Sequence, residues 1–191
     1  MANNAVVSLV LAGVVTLALL ITVHAVPKWY EQSVSDMLGN SRKIDTGIWR
    51  ECDELNVAGL RFATCTAIKI TEPEFPASLR SAQTFSLIAT ILAGIALIST
   101  LVIEYDSTKV KLLRLPRIFF AVSGIAIAIA ALSFVAFISK DTNVQTSRPS
   151  GAASFKSTYG ASYIIAWITL VPAFVAALLA HVHHSAKAAS A

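Results

Sequence analysis

Gly47-Ile48-Trp49-Arg50-Glu51-Cys52 lies inside a long polar stretch that also holds Cys65, and the chain has no other cysteine. What flanks this stretch decides the class of the protein. An apolar run at 5–26 precedes it, and three more follow at 84–103, 118–138 and 161–180. Each run is about 20 residues, enough to cross a hydrocarbon core roughly 30 Å thick. None contains Asp, Glu, Lys or Arg. Charged residues make up 14% of the chain, where a soluble domain carries about 25%. Buried helices of a soluble core would not take up nearly half the sequence, so the expectation is a four-span membrane protein. The polar stretch is then a water-exposed loop between the first two spans.

The net charge of +4 does not indicate nucleic acid as a partner. The basic residues are spread over three loops and a tail among acids, with no stripe that could track phosphates. The flank Met1-Ala2-Asn3-Asn4 lacks the basic residues of a secretion signal. The first span is therefore expected to stay as a membrane helix that also starts insertion. His24 near its end reads as an interfacial residue bonded to nearby backbone or water. Pro27 stops the helix, and Trp29 and Tyr30 mark the exit through the headgroup layer.

The loop at 27–80 is long enough to fold. From 42 to 52 and from 62 to 70, β-branched and aromatic residues recur at about every second position, as in half-buried strands. Phe62, Thr64, Thr66, Ile68 and Ile70 would share one face, with Ala63, Cys65, Ala67 and Lys69 on the other. Asn56 and Gly59 fall between the two runs, where a turn is needed. Pro73 and Pro76 end this sheet, and residues 77–83 begin the second helix outside the membrane. Small residues (Ala89, Ala93 and Gly94 in span 2; Ser123, Gly124 and the alanines 126–131 in span 3) let helix backbones approach closely. The linker at 104–117 carries Lys109, Lys111, Arg114 and Arg117, and the second loop, 139–160, turns at Pro149-Ser150-Gly151. Pro172 should kink the fourth span.

Basic residues alone do not fix the orientation. The linker's four favour the cytosol, yet the first loop holds seven against eight acids. If Cys52 and Cys65 lie on neighbouring strands they can meet, and a disulfide persists on the lumenal or extracellular side. With four spans, both termini are then cytosolic. The alternative is two unrelated free thiols. Two thiolates without a histidine in the loop do not complete a zinc shell, and the spacing is not the C-x-x-C of a redox pair.

These residues resemble the claudin superfamily: the claudins, peripheral myelin protein and the epithelial membrane proteins, and the gamma subunits of calcium channels with their glutamate-receptor relatives. The shared pattern is a tryptophan after span 1, then Gly-Leu-Trp-x-x-Cys and a second cysteine. Here it reads Trp29, Gly47-Ile48-Trp49-Arg50-Glu51-Cys52 and Cys65, with Arg80 where the loop returns to the membrane and Gly160, Ser162, Tyr163 and Trp167 around the start of span 4. The resemblance implies a single domain over 1–191, a four-helix transmembrane bundle with a small extracellular antiparallel β-sheet formed mainly by the first loop. It makes Trp29, Gly47, Ile48, Trp49, Cys52, Cys65 and Arg80 framework, so Trp49→Ala should misfold the loop and silence no chemical step. The chain departs from the family in Ile48 for leucine and in a wider cysteine spacing, which should lengthen the turn between those strands. It also lacks cytosolic cysteines for palmitoylation, and its end, Ala188-Ala189-Ser190-Ala191, is not the usual scaffold-binding sequence.

Two functions follow from the resemblance. One is adhesion or a paracellular barrier at the plasma membrane, with the protein pairing with itself within and between membranes. Glu51, Asp53, Glu54, Arg61, Lys69, Glu72 and Glu74 are then candidate charges along an ion path. The other is an auxiliary, gamma-type subunit that modulates a channel or receptor. An enzyme is not expected, since no catalytic motif appears. No cofactor, metal, nucleic acid or small-molecule substrate is expected as a partner. His181, His183 and His184, with Lys187, read as a loose interfacial cluster facing anionic lipid.

Overall fold

The structure, a computed structural model, describes residues 2–69, 76–105, 114–140 and 152–189. Four helices are long and apolar enough to cross a membrane, at Ala5–Ala25, Ala77–Tyr105, Arg114–Lys140 and Ala161–His183. The first three lie in α1 (Ala2–Ala25), α2 (Ala77–Tyr105) and α3 (Arg114–Lys140). The fourth is broken into α4 (Ala161–Ile168) and α5 (Leu170–Ala189). Pro172 has no N–H to give the Ile168 carbonyl, so the break falls one turn before the proline, and the ladder resumes with Ala173 N–H bonding Thr169 O at 3.2 Å. The helices are apolar nearly all round. Val7, Leu11, Ile91, Ile98, Leu132 and Leu178 are all more than half exposed, which fits lipid and not water as their surroundings.

Five strands form one antiparallel sheet: β1 (Tyr30–Asp36), β2 (Ser41–Thr46), β3 (Arg50–Val57), β4 (Leu60–Ala67) and β5 (Ala152–Tyr159), in the order β4-β3-β2-β1-β5. Four come from the first loop. Four-helix bundle and loop-built sheet are thus the architecture expected from the sequence, but several details differ. The run at 42–52 is not one strand. It divides at Gly47-Ile48-Trp49 into β2 and β3, because these three residues turn inward to meet the helices. β4 is exposed along its whole length and not half-buried, being an edge strand that none of the described residues covers. The wider cysteine spacing lengthens β3 and β4 and not their turn. Only Ala58 and Gly59 separate the strands, both at positive φ (51° and 82°) as a two-residue hairpin of this type needs, while Asn56 belongs to β3. β1 and β5 carry too few β-branched residues to show in the sequence, although Phe155 and Tyr159 in β5 were a faint signal. Ile70, Pro73, Lys109, Lys111 and Pro149-Ser150-Gly151 lie outside the described residues.

The described chain divides into two compact units. The first (Met1–Ile21, Phe85–Ile129, Ala166–Ala191) packs Leu9, Ala96, Phe120, Ala176 and Ala180 together. Small residues act here as expected, with one exception. A Cβ on Gly13 would lie 2.8 Å from the Phe120 ring and one on Gly124 3.3 Å from Phe174, whereas Gly94 faces open space. Ser123 Oγ donates to Ala89 O at 2.7 Å, tying α3 to α2 through a serine small enough to let the backbones meet. The second unit (Thr22–Thr84, Ala130–Ile165) contains the sheet and the helix ends that meet it.

Candidate functional site

The second unit has a buried junction and an exposed hairpin, and the motif of the first loop builds both. At the junction Trp29 is completely buried. Its ring packs on Phe134, centroids 4.9 Å apart, with Tyr163 at 6.3 Å. The indole N–H, costly to bury unpaired, donates to Val23 O at 3.1 Å. Trp29 N–H bonds Thr46 O (3.1 Å) and its carbonyl accepts from Gly160 N–H (2.9 Å), so the residue also pins the chain to β2 and to the start of α4. Ser162 adds two bonds, N–H to Lys28 O and Oγ to Val26 O, each 2.8 Å. Gly160 has to be glycine, because a Cβ there would run into the Lys28 backbone.

The three residues between β2 and β3 complete the junction. Gly47 bonds Arg50 O at 2.9 Å, and a Cβ on it would stand 2.9 Å from Pro27 Cα. Ile48 is 1% exposed, and its carbonyl accepts 2.7 Å from Gln83 Nε2 on α2. Trp49 Nε1 donates to His24 Nδ1 at 2.7 Å, with the two rings 5.8 Å apart. An indole only donates, so Nδ1 is the acceptor and the imidazole keeps its hydrogen on Nε2. His24 is thus paired with a side chain of the motif, where the sequence suggested backbone or water. Gln83 and Ser162 escaped sequence reasoning, since a lone polar residue at a helix start carries no pattern. Arg80 is exposed on the first turn of α2.

Cys52 and Cys65 stand directly opposite each other on β3 and β4 and form a disulfide, their Cα atoms 4.1 Å apart. Beyond it the hairpin is bare. The register pairs Leu55 with Phe62 and Val57 with Leu60, which puts all four side chains on one face. They are 41%, 58%, 38% and 64% exposed, and Met37 and Leu38 at the β1–β2 turn are exposed as well.

The described candidate charges on the hairpin are divided between its two faces. The pairing places Glu51 and Asp53 on the apolar face, and Glu54 and Arg61 on the other. Asp53 is engaged by Arg42, whose Nε lies 3.0 Å from both carboxylate oxygens. The hydrogen bond to Asp53 raises the Arg42 pKa, against the opposing effect of desolvation. Lys43 lies 3.2 Å from the buried Asp45 and 3.4 Å from Glu31. Burial opposes its charge, but those two carboxylates prevail and raise its pKa. Lys69 is exposed just past β4, and Glu72 and Glu74 lie outside the described residues.

The family described as PMP-22/EMP/MP20/Claudin tight junction matches residues 12–181. The chain belongs to that family. A search of curated proteins gave no match. The match takes in the whole junction and the hairpin, and it identifies this claudin-superfamily chain as a multi-pass membrane protein with a four-helix bundle and a small antiparallel sheet.

Proposed function

We propose that this claudin-superfamily protein works by contact, in adhesion or a barrier between cells, with the sheet outside the plasma membrane and both termini in the cytosol. The disulfide supports that orientation, because such bonds persist in oxidising compartments. The observation that carries the proposal is the apolar face of Leu55, Val57, Leu60 and Phe62 on an uncovered edge hairpin. Contiguous apolar surface that faces water marks a site of protein contact. The whole chain acts as one claudin-like domain, with Trp29, Gly47, Ile48, Trp49, Cys52, Cys65 and Arg80 as the frame and the hairpin as the working surface. Among the described hairpin charges, Glu54 and Arg61 share the face opposite the apolar patch and would act on ions there, whereas Asp53 is paired with Arg42.

The test is expression in cells that lack junctions, comparing the native chain with L60E/F62E. Aggregating cells or intramembrane strands with the native chain, and neither with the variant, are expected. The reading is overturned if the native chain does neither and purifies in mild detergent with a channel or receptor at fixed ratio. That outcome would assign it the auxiliary role of the gamma-type relatives.

A further inference from the structure

Arg114 and Arg117 open α3, and His181 lies on α5. Three residues apart on a helix, the two arginines share a face. Arg117 Nη1 lies 3.0 Å from His181 Nδ1. A guanidinium has donors only, so the imidazole nitrogen accepts, and His181 keeps an Nε2–H of its own to donate. Arg114, Arg117, Ile118 and His181 line an open depression of about 440 Å³. No acid lines it. Glu104, the one carboxylate among the described residues of this unit, is taken up by His183 at 2.7 Å. The histidines of the tail are therefore not one loose cluster: His183 is buried against Glu104 while His181 faces this depression, and the His184 side chain lies outside the described residues.

The depression is at a membrane boundary, because the third span begins at Arg114 and the fourth ends at His183. Its wall changes character along the helices. Arg114 and Arg117 come first, then Ile118, half exposed, and on α5 the exposed Leu178 lies about one turn deeper than His181. Cationic donors beside exposed hydrocarbon fit a ligand with an anionic head and an apolar tail.

We propose that this depression binds a phosphoinositide, with a headgroup phosphate monoester held between Arg114 and Arg117. His181 Nε2–H is the third donor, and the acyl chains run along Ile118. A monoester carries close to a second negative charge at neutral pH, which matches two guanidiniums, and their planar forks suit phosphate oxygens. The cytosolic placement of the site rests on the orientation proposed above, but binding in nanodiscs does not depend on it, nor on any adhesive role.

The experiment is binding of the full chain in phosphatidylcholine nanodiscs doped with phosphatidylinositol 4,5-bisphosphate, or with phosphatidylserine at matched total charge. Preference for the phosphoinositide is expected, and R114Q/R117Q should weaken it by about thirty-fold. R114K/R117K keeps the charge and loses the forks, so it should fall between the two and guard against a folding defect. Equal retention of phosphatidylserine, or unchanged binding by R114Q/R117Q, overturns the proposal. Soluble inositol trisphosphate binding as tightly as the lipid would make this a site for free phosphates and overturns the lipid assignment.

Discussion

The two edges of the sheet are built in opposite ways. At the β5 edge, Tyr30 packs on Tyr159 (5.9 Å) and Tyr159 stacks on Tyr163 of α4 at 4.4 Å. Burial, with Tyr163 and Tyr30 beside it, raises the Tyr159 pKa. This edge is joined to the helices through Gly160, Ser162 and the buried Trp29. At the β4 edge every residue is exposed, and the cystine alone clamps the strand to its neighbour by a covalent bond. The contrast teaches that packing holds the half of the sheet next to the helices. A covalent link stands in where a strand stays exposed.

The largest test of this contrast is Trp29→Ala. Emptying a fully buried indole site should cost about 3–5 kcal/mol and lower both thermal stability and surface expression. A variant that expresses and melts like the native chain would break the packing half of the comparison. Next comes C52S/C65S. Closing a short loop is worth about 3 kcal/mol in the chain-entropy model, and the effect should be local. Amide exchange should quicken in β3 and β4 while β1, β2 and β5 stay protected. Uniform loss of protection would mean that the cystine holds the whole sheet.

Smaller effects sharpen the picture within the hairpin and the turn beside it. Ala58 has positive φ, which a side chain pays for and glycine does not. Ala58→Gly should stabilise the β3–β4 turn by about 1 kcal/mol, seen as slower exchange at Leu60 and Val57. The smallest effect is one of pH. The Asn40 side-chain amide, with backbone N–H groups of Asn40, Leu38 and Gly39, holds the Asp36 pKa below the usual carboxylate value against the opposing effect of desolvation. A lowered folded pKa gives order that is full above the ordinary value and lost as pH falls through the lowered one. Amides at Leu38 and Asn40 should exchange faster only in that acid range, and Asp36→Asn should remove the dependence.

Much of this was legible beforehand, for identifiable reasons. The spans showed because lipid demands unbroken apolar runs, and α2 begins at Ala77, where Pro76 allows it. The alternation of 62–67 put Phe62, Thr64 and Thr66 on one face correctly, but it could not tell whether that face was covered. The division of 42–52 at Gly47 was hidden, because β2 and β3 read as one alternating run until Pro27 and Gln83 are placed against it. β5 was hidden for a different reason: Ala152–Tyr159 is polar and becomes a strand only because β1 offers it an unpaired edge.

By itself the sequence determined the number of spans, the loop that folds and the cysteines available to clamp it, since hydropathy and residue chemistry are local properties. Tertiary structure alone decided which surfaces stay bare, that Trp49 finds His24, that Arg42 cancels Asp53 and that Arg117 meets His181. Each of these joins residues far apart in the chain, and whether a side chain is buried, paired or exposed depends on what the fold brings against it.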